Sequence, residues 1–146
     1  MTELIIVPCA HCATLNRIPN AKRSEQPQCG SCKQPIFTSA AFDLDTATFS
    51  KQLKGDVPLL VDVGASWCGP CRQFAPTFSE AAAKLSTQCR FGKLDSEAHP
   101  ALSGELGVRS IPSLILFRNG KEIDRKSGAL PLGQLLSWLK QHGIDN

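Results

Sequence analysis

The 146-residue sequence predicts an α/β domain, a mixed sheet flanked by helices, preceded by a small cysteine-rich module. Three observations carry this. An apolar run over 57–63 feeds into Cys68-x-x-Cys71 and then into an amphipathic helical stripe. Strand-like and helix-like patterns alternate from about residue 46 and finish on a hairpin signal and a last helix. Residues 1–37 hold four of the seven cysteines and few large apolar side chains. So small an apolar set does not offset chain entropy without a cross-link or a metal.

Each element has a local reason. Over 46–54, Phe49 and Leu53 lie four apart and form a short helical face. Residues 57–63 read as a buried strand. From Cys71 to about Leu85, Phe74, Phe78, Ala82 and Leu85 fall on one stripe, and Pro76 should kink this helix because it lacks an N–H. Residues 90–94 form a short strand, and 100–106 a short helix with proline in its first turn. Leu114–Phe117, Asn119-Gly120 and 122–126 spell a β-hairpin. Leu132, Leu135, Leu136 and Leu139 mark a terminal amphipathic helix against which Trp138 packs. The order implies strands that are parallel in part and end antiparallel. The boundary between the two units falls near residues 37–41, giving 1–37 and 38–146.

Composition bounds the function. Hydrophobic residues make up 42% and charged residues 20%, as in ordinary water-soluble domains. Residues 1–37 carry 4 basic and 2 acidic side chains and the remainder 12 and 11, so charge gives no argument for nucleic acid. No run approaches the roughly 20 apolar residues that cross a bilayer. Leu4-Ile5-Ile6-Val7 is too short for a signal-peptide core, so the expected location is the cytoplasm. There, cysteines serve metals or catalysis more often than structural disulfides. Nothing in the chain demands more than a monomer.

The stretch Trp67-Cys68-Gly69-Pro70-Cys71 carries the chemistry. Strand followed by helix puts Cys68 at a helix N-terminus, where free N–H groups and the helix dipole favour the thiolate. Cys68 is then the attacking sulfur and the more exposed one. Cys71, one turn inside, resolves the mixed disulfide. Pro70 stiffens the turn, and Gly69 lets a substrate backbone come close. A metal half-site or two unrelated thiols are the alternatives for a bare Cys-x-x-Cys.

On these residues, 38–146 resembles the thioredoxin family, whose motif stands unchanged here. The resemblance implies the thioredoxin fold and a protein-disulfide reductase. By itself Asp62 reads as a strand-end aspartate bonded to backbone; the resemblance makes it the buried acceptor of the Cys71 proton. Lys93, by itself a solvated strand lysine, becomes that carboxylate's electrostatic neighbour. Pro76, Gly120 and Gly128 fall at family positions, and Ile111-Pro112 at a cis step facing Cys68. Trp67, Gly69, Pro70, Ile111 and Pro112 would then receive substrate. The electron donor implied is an NADPH-dependent thioredoxin reductase, and the substrates are disulfide-containing proteins. Two positions depart: Gly64 stands where the family has a large aromatic residue, loosening packing or opening a pocket, and Ser113 replaces a threonine.

A second motif, Cys9-x2-Cys12 and Cys29-x2-Cys32 with sixteen residues between, has the spacing of a tetrahedral zinc site of four thiolates. One zinc per chain is expected, and no organic cofactor. Gly30 should supply the tight turn of the second knuckle; His11 lies between ligands but finds no vacancy. Two disulfides or extra redox dithiols are the alternatives. A zinc ribbon ahead of such a domain resembles the bacterial thioredoxin-2 type over the whole chain. Cys89 reads as a partly buried inert thiol, and His99 and His142 as surface residues. The competing function is a zinc-ribbon binding or redox-sensing module with secondary thiol exchange.

Overall fold

The computed structural model describes residues 3–145. The chain opens with an antiparallel hairpin, β1 (Leu4–Pro8) and β2 (Leu15–Pro19), followed by a 3-10 helix, Asn20–Glu25. The remaining elements are β3 (Phe42–Asp43), α1 (Phe49–Gln52), β4 (Leu59–Gly64), α2 (Gly69–Leu85), β5 (Arg90–Asp95), α3 (Pro100–Glu105), β6 (Ser113–Arg118), β7 (Lys121–Ser127) and α4 (Leu132–Gln141).

The main sheet has the order β3-β5-β4-β6-β7. β4 and β5 run parallel, as do β3 and β5, and β6 and β7 are antiparallel to their neighbours. The mixed sheet expected from the element order is therefore present, with β3 added as a short edge strand that two residues gave no pattern to reveal. Asn119 (φ 54°) and Gly120 (φ 78°) both take the left-handed conformation that a two-residue hairpin turn needs.

Strand pleating divides the core into two layers. Leu60, Leu114 and Leu116 meet Phe74, Phe78 and Leu85 of α2 and Leu135 and Leu139 of α4 on one face. Leu59, Val61, Val63, Ile115 and Phe117 meet Phe49 and Leu102 on the other. Asp62 and Gly64 share the face of Leu60, so both lie toward α2, a placement that matters for the site. α2 begins at Gly69, two residues before the expected start, and runs on through Pro76, whose ring is exposed.

The cysteine-rich module is docked onto this domain rather than tethered to it. Val57 completes the apolar cluster of Ile5, Val7, Ile18 and Ile36. Asp56 grips β1 twice: its N–H donates to the Ile6 carbonyl at 2.8 Å, and its carboxylate accepts from the Ile6 N–H at 2.7 Å. Arg23 Nη1 donates to the Thr87 carbonyl at 2.8 Å. The deepest link is Gln52, whose Nε2 donates to the Cys9 carbonyl at 3.0 Å. Arg90, only 4% exposed, donates to both the Gln52 carbonyl and Oε1 and lies 4.9 Å over the Phe42 ring.

Burial draws the Arg90 guanidinium down to about 10, so it stays charged at neutral pH while leaning on neutral acceptors. Removing one partner of a buried charge leaves the other unsolvated. Gln52→Ala strands both Arg90 and the Cys9 carbonyl, and is expected to lower unfolding stability in urea by about 2–3 kcal/mol. A loss under about 0.5 kcal/mol, the level of an ordinary surface change, would show that this link carries no weight.

Candidate functional site

Cys68 occupies the N-cap of α2 with extended dihedrals (φ −82°, ψ 115°), and its sulfur accepts the Cys71 N–H at 3.2 Å. Pro70 lies in the first turn, where its missing N–H costs nothing. The two sulfurs are joined as a disulfide, with Cα atoms 5.2 Å apart. Cys68 is 5% exposed and Cys71 9%, which reverses the expected ranking. The reason is the company Cys68 keeps: Ala65 and Ile111 pack around it, and the Ile111 carbonyl lies 3.9 Å from its sulfur. The side chain that stands out is Trp67, at 65% exposed.

The Ile111-Pro112 bond is cis, as the resemblance implied. The Gly128 N–H (φ 87°) donates to the Pro112 carbonyl at 2.8 Å, and Ser113 Oγ donates to the Ser110 carbonyl at 2.6 Å. These two bonds fix the loop that faces Cys68. Gly128 thus has a physical task in the site, and serine at 113 supplies the hydroxyl the loop uses.

Asp62 lies in the middle of β4, 5% exposed, and its Oδ1 has no hydrogen-bond partner among the described residues. Burial pushes its carboxyl up to about 6, with half-buried Lys93, its register partner on β5, pulling the other way. Asp62, Gly64, Cys71 and Lys93 line one cleft of about 420 Å³. The structure therefore brings the dithiol, the carboxyl and the lysine to one place. The space that Gly64 was expected to open is found there.

The second cluster forms as spaced. The sulfurs of Cys9, Cys12, Cys29 and Cys32 lie within 4.8 Å of one another. Cys9 to Cys32 and Cys12 to Cys29 are each 3.6 Å. Four sulfurs at ~2.3 Å from a common ion stand ~3.8 Å apart, so the donor set is compatible with zinc. The His11 and Ser31 N–H groups donate to the Cys9 and Cys29 sulfurs at 3.3 and 3.4 Å, the support that knuckle thiolates take from backbone. His11 itself is exposed and stays outside the cluster.

Four expectations need correction. The left-handed residue of the second knuckle is Lys33 (φ 66°), matching Ala13 (φ 64°) in the first; Gly30 serves instead by donating its N–H to Asn16 Oδ1 at 3.0 Å. Cys89 is wholly buried, its thiol pushed up to about 12, and belongs to neither site. His142 is half-buried and bonded to Asp124 Oδ2 at 2.8 Å, an oxygen that also accepts from Trp138 Nε1. His99 is half-buried and bonded to Thr46 Oγ1 at 2.9 Å on the cleft rim. Sequence reasoning also passed over Gln52 and Arg90. Their partners lie 38 to 43 positions away, a distance at which no local pattern gives a signal.

The thioredoxin family model matches residues 40–141, and the family model of the thioredoxin 2 N-terminal zinc ribbon matches residues 8–34. Thioredoxin C-3 of Corynebacterium nephridii is 41% identical over 138 residues, covering 94% of each chain. Thioredoxin 1 of Synechococcus elongatus is 38% identical over 105 residues, 71% of this chain and 98% of that one. Among solved structures, Malassezia sympodialis thioredoxin superposes with a TM-score of 0.67 at 26% identity, over 75% of this chain and 96% of that one. With a disulfide-bonded pair at the mouth of α2 and four gathered sulfurs ahead of it, the chain belongs to the thioredoxin family, in the form that carries an N-terminal zinc ribbon.

Proposed function

We propose that the chain is a general protein-disulfide reductase that cycles Cys68 and Cys71 between dithiol and disulfide. The Cys68 thiolate attacks a substrate disulfide, forming a mixed disulfide and releasing one substrate thiolate. Cys71 then attacks the Cys68 sulfur, restores the internal disulfide and releases the second thiolate. Asp62 accepts the proton that Cys71 sheds, and Lys93 favours the carboxylate form that does so. Trp67, Gly69, Pro70, Ile111 and Pro112 receive the substrate. An NADPH-dependent thioredoxin reductase returns the pair to the dithiol. The observation that carries this reading is the N–H of Cys71 aimed at the Cys68 sulfur, since it stabilises the attacking anion.

In the same proposal the division falls at residues 37–38, and Cys9, Cys12, Cys29 and Cys32 hold one zinc per chain. The metal supplies a closed cross-link in place of core. The docking through Gln52, Asp56 and Arg23 supports a structural role over a free binding module. The working place is the cytoplasm, whose reducing poise keeps such thiolates available. No described helix is long and apolar enough to cross a membrane.

Cys68→Ser is expected to reduce insulin disulfides no faster than the dithiothreitol control, while Cys71→Ser accumulates a mixed disulfide seen by mass spectrometry. Full turnover by Cys68→Ser would overturn the cycle. Elemental analysis is expected to give one zinc per chain, with Cys29→Ser losing it; a metal-free wild type with two extra disulfides by thiol count would overturn the zinc assignment.

Asp62 yields a pH prediction. Its carboxyl titrates near 3.8 when unfolded and near 6 when folded, so the folded chain holds a proton that the unfolded chain has lost. Stability is therefore lost as pH rises from about 3.8 through 6, and ionised Asp62 costs on the order of 3 kcal/mol above that. Asp62→Asn should raise the urea midpoint at pH 8 and leave it unchanged at pH 3, while slowing insulin reduction. Equal midpoints at both pH values would refute the buried-acid assignment.

A further inference from the structure

A disulfide has two sulfurs, and the site described above presents them to different surroundings. Cys68 packs against Ala65 and the Ile111 loop, where the proposed cycle seats a protein strand. Cys71 lines the cleft of about 420 Å³ on the α2 side of β4, beside Gly64 and Asp62. With glycine at position 64, no side chain from β4 stands over that sulfur. A Cβ built at position 64 would stand 3.1 Å from the Cys71 sulfur and 3.3 Å from its Cβ, so any larger side chain starts in contact with the sulfur.

The volume falls in the range of small-molecule sites. Its floor includes buried Leu44 and Leu94, and its rim carries both signs of charge: Arg72 and Lys93 against Asp43 and Asp95. A ligand with one carboxylate and one ammonium matches such a rim.

Resting on the dithiol cycle proposed above, we infer that this cleft admits zwitterionic low-molecular-weight thiols, which reduce the disulfide by attacking Cys71 rather than Cys68. The chemistry favours that end. The departing sulfur is Cys68, whose anion is held by the Cys71 N–H and the helix N-terminus, and the better-stabilised thiolate leaves faster. The small thiolate bonds to the Cys71 sulfur as the Cys68–Cys71 bond breaks, and the electron pair leaves on Cys68. A second small thiolate then attacks the sulfur of the first and bonds to it as the bond to Cys71 breaks, and the electron pair leaves on Cys71. The products are a small-molecule disulfide and the Cys71 thiolate, which takes a proton from water in the cleft or from Asp62 when protonated. Two thiols are oxidised and one protein disulfide is reduced.

The test follows reduction of the oxidised full chain by stopped-flow tryptophan fluorescence. L-Cysteine and L-homocysteine serve as zwitterionic thiols and 2-mercaptoethanol as a neutral one, each rate corrected to its thiolate concentration. Gly64→Leu should slow L-cysteine at least about tenfold, with Gly64→Ala between it and wild type. Arg72→Glu, on the exposed rim, should lower the ratio of L-cysteine to 2-mercaptoethanol rates about fivefold. It keeps the test decisive if the leucine variant does not fold. An L-cysteine rate unchanged by filling the cleft, or a rate ratio unmoved by the rim reversal, overturns the inference. Failure of the underlying cycle registers separately, as wild-type chain that does not reduce insulin with dithiothreitol.

Discussion

The contact between the Cys71 N–H and the Cys68 sulfur ties sequence to chemistry here. It exists because β4 ends at Gly64 and α2 begins five residues later, so the first cysteine falls at the helix cap and the second in its first turn. A hydrogen bond to a sulfur that must bear charge stabilises the charged form, and the helix dipole adds in the same direction. The surrounding parts take their meaning from that anion. The Ile111 loop confronts it, and Asp62 lies in the cleft of its partner.

Asp62 shows the balance a site of this kind strikes. A carboxyl at the centre of a five-stranded sheet, with one oxygen unpartnered, opposes folding once it is charged. In the proposed cycle its value lies in titrating where proton transfer at neutral pH is efficient. Lys93 moderates the penalty from the adjacent strand without quenching the effect, since burial remains the dominant influence. The sheet around it is ordinary apolar packing, which absorbs the cost.

Much of this was legible in the chain. The alternation of patterns foretold the mixed sheet, the hairpin dipeptide Asn119-Gly120 its turn, and the two cysteine motifs their separate clusters. Short-range spacing encodes those features directly. What escaped were relations set by tertiary approach. β3 is two residues long and exists only because β5 offers it a partner. That Cys68 is more deeply buried than Cys71 depends on Ile111, 43 positions downstream. The knuckle turn went to Lys33 rather than Gly30, because a neighbouring glycine was the more visible candidate while the backbone pattern of Cys9–Ala13 repeats at Cys29–Lys33. Arg90 and Gln52 look like surface residues on paper, but they are enclosed by each other, by Phe42 and by the docked module.

The outer strand β7 has a bearing on how the chain survives at high concentration. It borders the sheet on its free side, where unsatisfied backbone groups would ordinarily recruit another strand. Lys121, Glu122, Asp124, Arg125 and Lys126 stud its seven residues, so a copy approaching edge-on meets charges of both signs that must shed water before pairing. The opposite border is closed by brevity, since β3 offers only two residues to extend. A molecule that leaves Trp67 65% exposed is thereby guarded against fibrillar self-association on both flanks.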